Sequence, residues 1–357
     1  MKSSGRASLA GYVALAYTLV IVYASLQPFA GWRMPPAEVL AFLTAPWPRY
    51  VTASDIALNV AAYLPLGAML FFMLRPPLAA VIACVFATLL AAALSLTLES
   101  TQMFLPTRIS SNVDLLSNSA GAAAGALGAM LLTLWNNPLT TLRQRVVRTG
   151  RLGDCGLLVL ALWIVIQFHP SPLAFGSGNL RDTFGITPMF MHSSLAYLLA
   201  ETSVVALTVA AMGLLVSLLI RSPRYALRAM ALTLLLATAA KSIAALTFAR
   251  SGNLLQWLTP GVAAGLLAGA AGVTLLRWLA PTARAAIAAL CLVACVTIVN
   301  ITPDNPYQSL PAFLSSLQPT HLANFGSIVR ILAQCWPFAA IALLLGFLRA
   351  GPDRKAR

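Results

Sequence analysis

Three short polar stripes sit at the ends of long apolar runs in this sequence. In SDIALNVAAYLPLG, Asp55 and Asn59 stand four residues apart, the spacing that puts two side chains on one helical face. The stretch ESTQMFLPTRISSNVDLLSN begins with Glu99 and Gln102, three apart, and continues through a Pro-Thr turn to Arg108, then Asp114 and Asn118, four apart. Two chemistries are open to such a set. Carboxylates that perturb one another can act as acid and base, and a pocket of amides, carboxylates and a guanidinium can hold a polar head group. Arg108 is the single cation among three carboxylates, and its planar fork suits bidentate pairing with one of them. A third reading is purely architectural: a cap and salt-bridge network closing one end of a helix bundle.

The elements that must carry these stripes are membrane helices. The 357 residues are 59% hydrophobic and 9% charged, with a mean hydropathy of +0.84. Soluble chains are about 25% charged, so this one lacks the polar surface that water requires. The formal net charge of +14 is read as basic loops that orient the protein in a bilayer rather than as a nucleic-acid surface. The five cysteines lie in or beside apolar runs without metal-ligand spacing, and His169, His192 and His321 follow no zinc pattern. No metal or other cofactor is expected.

About 20 mostly apolar residues make a spanning helix. Ten segments qualify approximately, at 9–27, 56–74, 78–98, 115–135, 155–169, 190–220, 229–249, 257–276, 285–301 and 330–349, the fifth short and the sixth long. With the N-terminus inside, sixteen of the 23 Lys and Arg fall on the cytoplasmic side, as the positive-inside rule demands. Both termini are therefore expected in the cytoplasm, with the stripes at the outer face. The aromatic, Pro-rich segments 29–54 and 302–328, which carry Trp32, Trp47, Tyr50 and Tyr307, read as interfacial caps, either of which could form a lid.

An internal echo suggests a parallel repeat of four spans plus four, with two more appended. IVYASLQPFAGW (21–32) returns as IVIQFHPSPLAFG (164–176), so the first span is expected to be retained rather than cleaved. GAAAGALG (121–128) returns as GLLAGAAG (265–272), and Glu99, Arg108 and Asp114 align with Lys241, Arg250 and Gln256. Gly121 and Gly125 form a small-residue face for close helix contact, as does GVAAGLLAG (261–269). The expected divisions are 1–140, 141–282 and 283–357. Asn59 aligns with Glu201, so Glu201 and Lys241 are expected to pair within the membrane.

The motifs themselves resemble the signature of the VanZ-like membrane family: an Asp and an Asn before Pro-Leu-Gly, Glu-x-x-Gln, Pro-x-Arg, then an Asp and an Asn before glycines. The resemblance covers about residues 10–135, and the remainder resembles the longer proteobacterial members. It implies a multi-pass protein of the bacterial inner membrane in which Asp55, Asn59, Glu99, Gln102, Arg108, Asp114 and Asn118 act together. The family is named for a protein associated with resistance to the glycopeptide antibiotic teicoplanin, which links this chain to that phenotype by resemblance alone.

The leading expectation is a non-enzymatic protein of the cell envelope, embedded in the lipid bilayer, whose outer polar cluster binds a lipid or glycan head group, such as that of a lipid-linked envelope precursor, or a partner protein. A small-molecule or lipid transporter and a membrane enzyme acting on a lipid-linked substrate are the alternatives. If Glu201 and Lys241 pair, Glu201→Gln and Lys241→Met should each lower the amount of folded protein more than the double variant does, because an orphaned buried charge costs more than a removed pair. Equal tolerance of both single variants, measured as membrane abundance, would refute the pairing.

Overall fold

The computed structural model describes residues 4–26, 29, 31–35, 38–48, 53–75, 78–134, 145–167, 173–189, 193–248, 253–303 and 321–350. Tyr50, His169, His192, Arg250 and Tyr307 lie outside these residues. Among the described residues the fold is all-helical: ten helices of 16 residues or more, one at each expected span, and a single isolated β-bridge between Val147 and Ile220. In order they are α1 (Ser4–Leu26), α2 (Ala53–Leu74), α3 (Ala80–Gln102), α4 (Asn112–Leu134), α5 (Arg151–Ile166), α6 (Ser194–Leu219), α7 (Pro223–Phe248), α8 (Pro260–Leu276), α9 (Pro281–Ile301) and α10 (His321–Ala350). Seven of them, α2, α3, α4, α6, α7, α9 and α10, contain a stretch long and apolar enough to cross a membrane, and α1 and α8 hold shorter apolar stretches. Two compact units divide the chain: Met1–Pro138 with Phe313–Ile328, and Leu139–Ala312 with Val329–Arg357.

In the first unit α2 and α4 pack backbone to backbone. A Cβ placed on Gly121 would strike the Val60 carbonyl, one on Gly125 the Leu64 carbonyl, and one on Gly67 the backbone of Ala122. Lipid tails are as apolar as leucine, so helix association in a bilayer depends on such close van der Waals contact. Alanines at every fourth position of α3, Ala83, Ala87 and Ala91, are fully buried in the same core. Pro65 lies inside α2, and the helix continues past it to Leu74. Three residues before the proline, the Ala62 carbonyl accepts a hydrogen bond from the Tyr17 phenol of α1 at 2.9 Å.

The second unit is built around α6, whose apolar residues face inward on all sides and which is buried accordingly. Here α8 supplies the small residues: Gly265 and Gly269 sit against Val205 and Val209 and the carbonyls of Thr202 and Ala206, and Gly261 sits against Glu201. On another side, Thr208 at the middle of α6 contacts the Cys295 thiol of α9 at 3.2 Å.

Between α5 and α6, residues 173–180 are not helical, yet they are buried or half-buried. Leu173, Ala174, Phe175 and Ser177 are each 5% exposed or less. The Gly178 amide donates to the Ala333 carbonyl of α10 at 2.8 Å. That carbonyl lies four residues before Pro337, which has no N–H to give it. Asn300 of α9 holds the same segment from the other side, accepting from the Leu180 amide at 2.8 Å and donating to the Gly178 carbonyl at 2.7 Å. Ala333 is four residues into the apolar stretch Val329–Ala350, about 6 Å at the helical rise. The segment's irregular backbone thus packs beside an apolar helix with protein partners for its polar groups.

The glycine seam yields a paired test. Gly125→Ala should destabilise the protein by about 1–3 kcal/mol through overpacking against Leu64, whereas Gly128→Ala, with nothing within 4 Å of the new methyl, should be neutral or stabilising by up to about 1 kcal/mol. Thermal melting of the two purified variants in detergent reads the difference.

Candidate functional site

The residues of the three stripes converge at one end of the first unit, where α1 and α3 finish and α2 and α4 begin. Because α2 and α4 run parallel with their backbones in contact, Asn59 of α2 reaches Asp114 of α4, donating from Nδ2 to Oδ1 at 2.8 Å. Glu99, near the C-terminal end of α3, accepts from the Ser111 amide at 2.9 Å, and its own carbonyl accepts from the Ser110 hydroxyl at 2.5 Å. Ser111 caps α4 in turn: its Oγ accepts from the Val113 amide at 3.1 Å. A carboxylate is thus held against the positive end of a helix, where it is favoured.

The donors of the set turn to the end of α1. Gln102 Nε2 donates to the Ser25 carbonyl at 3.0 Å, and Arg108 Nη2 to the Ala24 carbonyl at 3.1 Å. Carbonyls in the last turn of a helix have no partner within it, and a cation there also meets the negative end of the dipole. Burial pushes the Arg108 guanidinium down from its ordinary value, and the Glu99 carboxylate nearby opposes that. An arginine so placed remains a cation.

The stripes run one turn deeper than the seven residues picked from the sequence. Asn118 Nδ2 donates to Ser95 Oγ at 3.0 Å, and the Tyr63 phenol lies within hydrogen-bonding reach of Ser95. Tyr63 follows Asn59 by four residues, and Ser95 precedes Glu99 by four. The signal was therefore in the spacing: each stripe continues inward on its own face, but a serine or a tyrosine inside an apolar helix reads as packing. Exposure falls along the same direction. Asp55, Asn59 and Arg108 are half-buried, whereas Glu99, Gln102, Asp114 and Asn118 are 4–7% exposed and Ser95 is fully buried.

The segment between α1 and α2 is tied to this end. The Arg33 amide donates to the Phe104 carbonyl at 2.9 Å, Asn112 Nδ2 donates to the Ala45 carbonyl at 2.8 Å, and Gly31, at φ +75°, lies against Pro106. Trp32 and Trp47 are exposed along it.

Residues 8–133 match the VanZ/LLP1 family. The match spans α1 to α4 almost entirely and contains every residue of the polar cluster. No curated protein and no solved structure matches the chain. With its apolar helices, the VanZ/LLP1 segment makes this a multi-pass membrane protein.

The second unit keeps its own ionisable pair of positions. Glu201 and Lys241 are 4% and 6% exposed. Glu201 Oε2 accepts from Thr259 Oγ1 at 2.5 Å, and that same hydroxyl caps α8 by accepting from the Val262 amide at 3.1 Å. Among the described residues, no group of three or more His, Cys, Asp or Glu is arranged to hold a metal ion.

Asn59 and Asp114 should be strongly coupled. Removing Asn59 leaves a buried carboxylate oxygen without its donor, so Asn59→Leu and Asp114→Leu should each cost more than half of what the double variant costs. The interaction energy expected from a double-mutant cycle is about 1–3 kcal/mol. Melting temperatures of the three variants measure it, and additive losses would show that the 2.8 Å contact carries no net stabilisation.

Proposed function

We propose that the VanZ/LLP1 segment is a head-group-binding module of the bacterial plasma membrane, facing the outer leaflet, and that it binds without catalysing a reaction. The observation that carries this reading is the gradient of burial across the cluster. Its inner residues Glu99, Gln102, Asp114 and Asn118 are buried, while Asp55, Asn59 and Arg108 are half-buried at the rim. The exposed Trp32 and Trp47 of the tied outer segment support the same reading, because indole rings partition to the head-group layer. A phosphate-bearing head group meets its counter-ion at Arg108, whose fork matches a phosphate bidentately.

The test compares Arg108→Ala and Arg108→Lys with the unaltered protein, scoring membrane abundance, envelope sensitivity and the lipid that copurifies. Loss of the Ala24 contact should cost about 0.3–1 kcal/mol, which leaves abundance near normal. Copurified lipid should fall at least fivefold in Arg108→Ala and less in Arg108→Lys. A fall in abundance that accounts for the whole lipid loss would reduce the cluster to a structural cap.

A further inference from the structure

The floor of the cluster has an acceptor to spare. Asn118 is 7% exposed; its Nδ2 is used on Ser95, while its Oδ1 is buried and has no hydrogen-bond partner among the described residues. A buried polar atom left in this state costs about 1–3 kcal/mol, a cost that a bound donor removes. Asn118 lies on the same face of α4 as Asp114, one turn further in, and its amide oxygen is the acceptor that the floor leaves unused. Arg108, the only cation of the seven residues, stands at the rim. The polarity of the site is thus ordered, with anion recognition outside and donor recognition inside.

We propose that the head group bound here carries hydrogen-bond donors beyond its phosphate, either a primary ammonium or a polyol, with the phosphate at Arg108 and the donor end directed toward Asn118. This rests on the head-group reading above and adds a requirement to it. A quaternary ammonium head group has the same phosphate and the same positive charge but no N–H. It satisfies Arg108 and leaves Asn118 Oδ1 unpaired.

The experiment uses the full chain in detergent and three short-chain probes: dihexanoyl phosphatidylethanolamine, phosphatidylglycerol and phosphatidylcholine, with binding read by native mass spectrometry. Phosphatidylethanolamine or phosphatidylglycerol should bind at least tenfold more tightly than phosphatidylcholine, and whichever does so assigns the donor as ammonium or polyol. Asn118→Leu should abolish that preference, bringing the three lipids to equal binding, and Arg108→Ala should weaken all three. Asn118→Asp keeps the acceptor in the same shape and should retain a preference for the ammonium lipid, which decides the matter if the leucine variant does not fold. Equal binding of all three lipids with Arg108 dependence intact overturns the donor requirement alone. Absence of binding, or binding indifferent to Arg108, overturns the head-group reading itself.

Discussion

Direct backbone contact between α2 and α4 is the constraint on which the first unit depends. Gly67, Gly121 and Gly125 remove the side chains that would hold the two helices apart. With the axes that close, residues a turn or two outward have no freedom over their neighbours: Asn59 must meet Asp114, and Asn118 must meet Ser95 across to α3. The second unit uses the same device between α6 and α8, through Gly261, Gly265 and Gly269. There the outermost glycine of the seam lies against Glu201. In both places a small-residue seam ends beside a buried carboxylate, which its close geometry delivers to a donor on a neighbouring element.

The polar cluster shows how a membrane protein handles the ends of its helices. Glu99 serves the amide end of α4, while Gln102 and Arg108 serve the carbonyl end of α1. These are groups that water would otherwise satisfy, and near the hydrocarbon they must be met by side chains. On the proposed reading, capping and recognition draw on one residue set.

Much of this was legible from residue order, and the reasons for the remainder are specific. Hydropathy located all ten helices because an apolar run of this length has few other uses. Helical spacing identified the seven cluster residues because Asp, Glu, Arg, Asn and Gln are rare in such a chain. Spacing could not assign partners. Arg108 among three carboxylates pointed to an ion pair, whereas its guanidinium also reaches the Ala24 carbonyl, an acceptor every residue possesses and no sequence marks. The same holds for Glu201, whose hydrogen bond comes from Thr259, the capping residue of another helix. The burial of the segment after α5 follows from Asn300 and Pro337, more than a hundred residues further along, which its own residues do not signal.

That segment has a consequence for biogenesis. The amide that completes the proline-broken turn of α10 comes from Gly178, made about 150 residues earlier in the chain. During synthesis the loop is therefore threaded before the helix it serves exists, and Asn300 on α9 is translated in time to hold it. The order of emergence from the ribosome thus places the donor, Gly178, ahead of the acceptor it meets, Ala333.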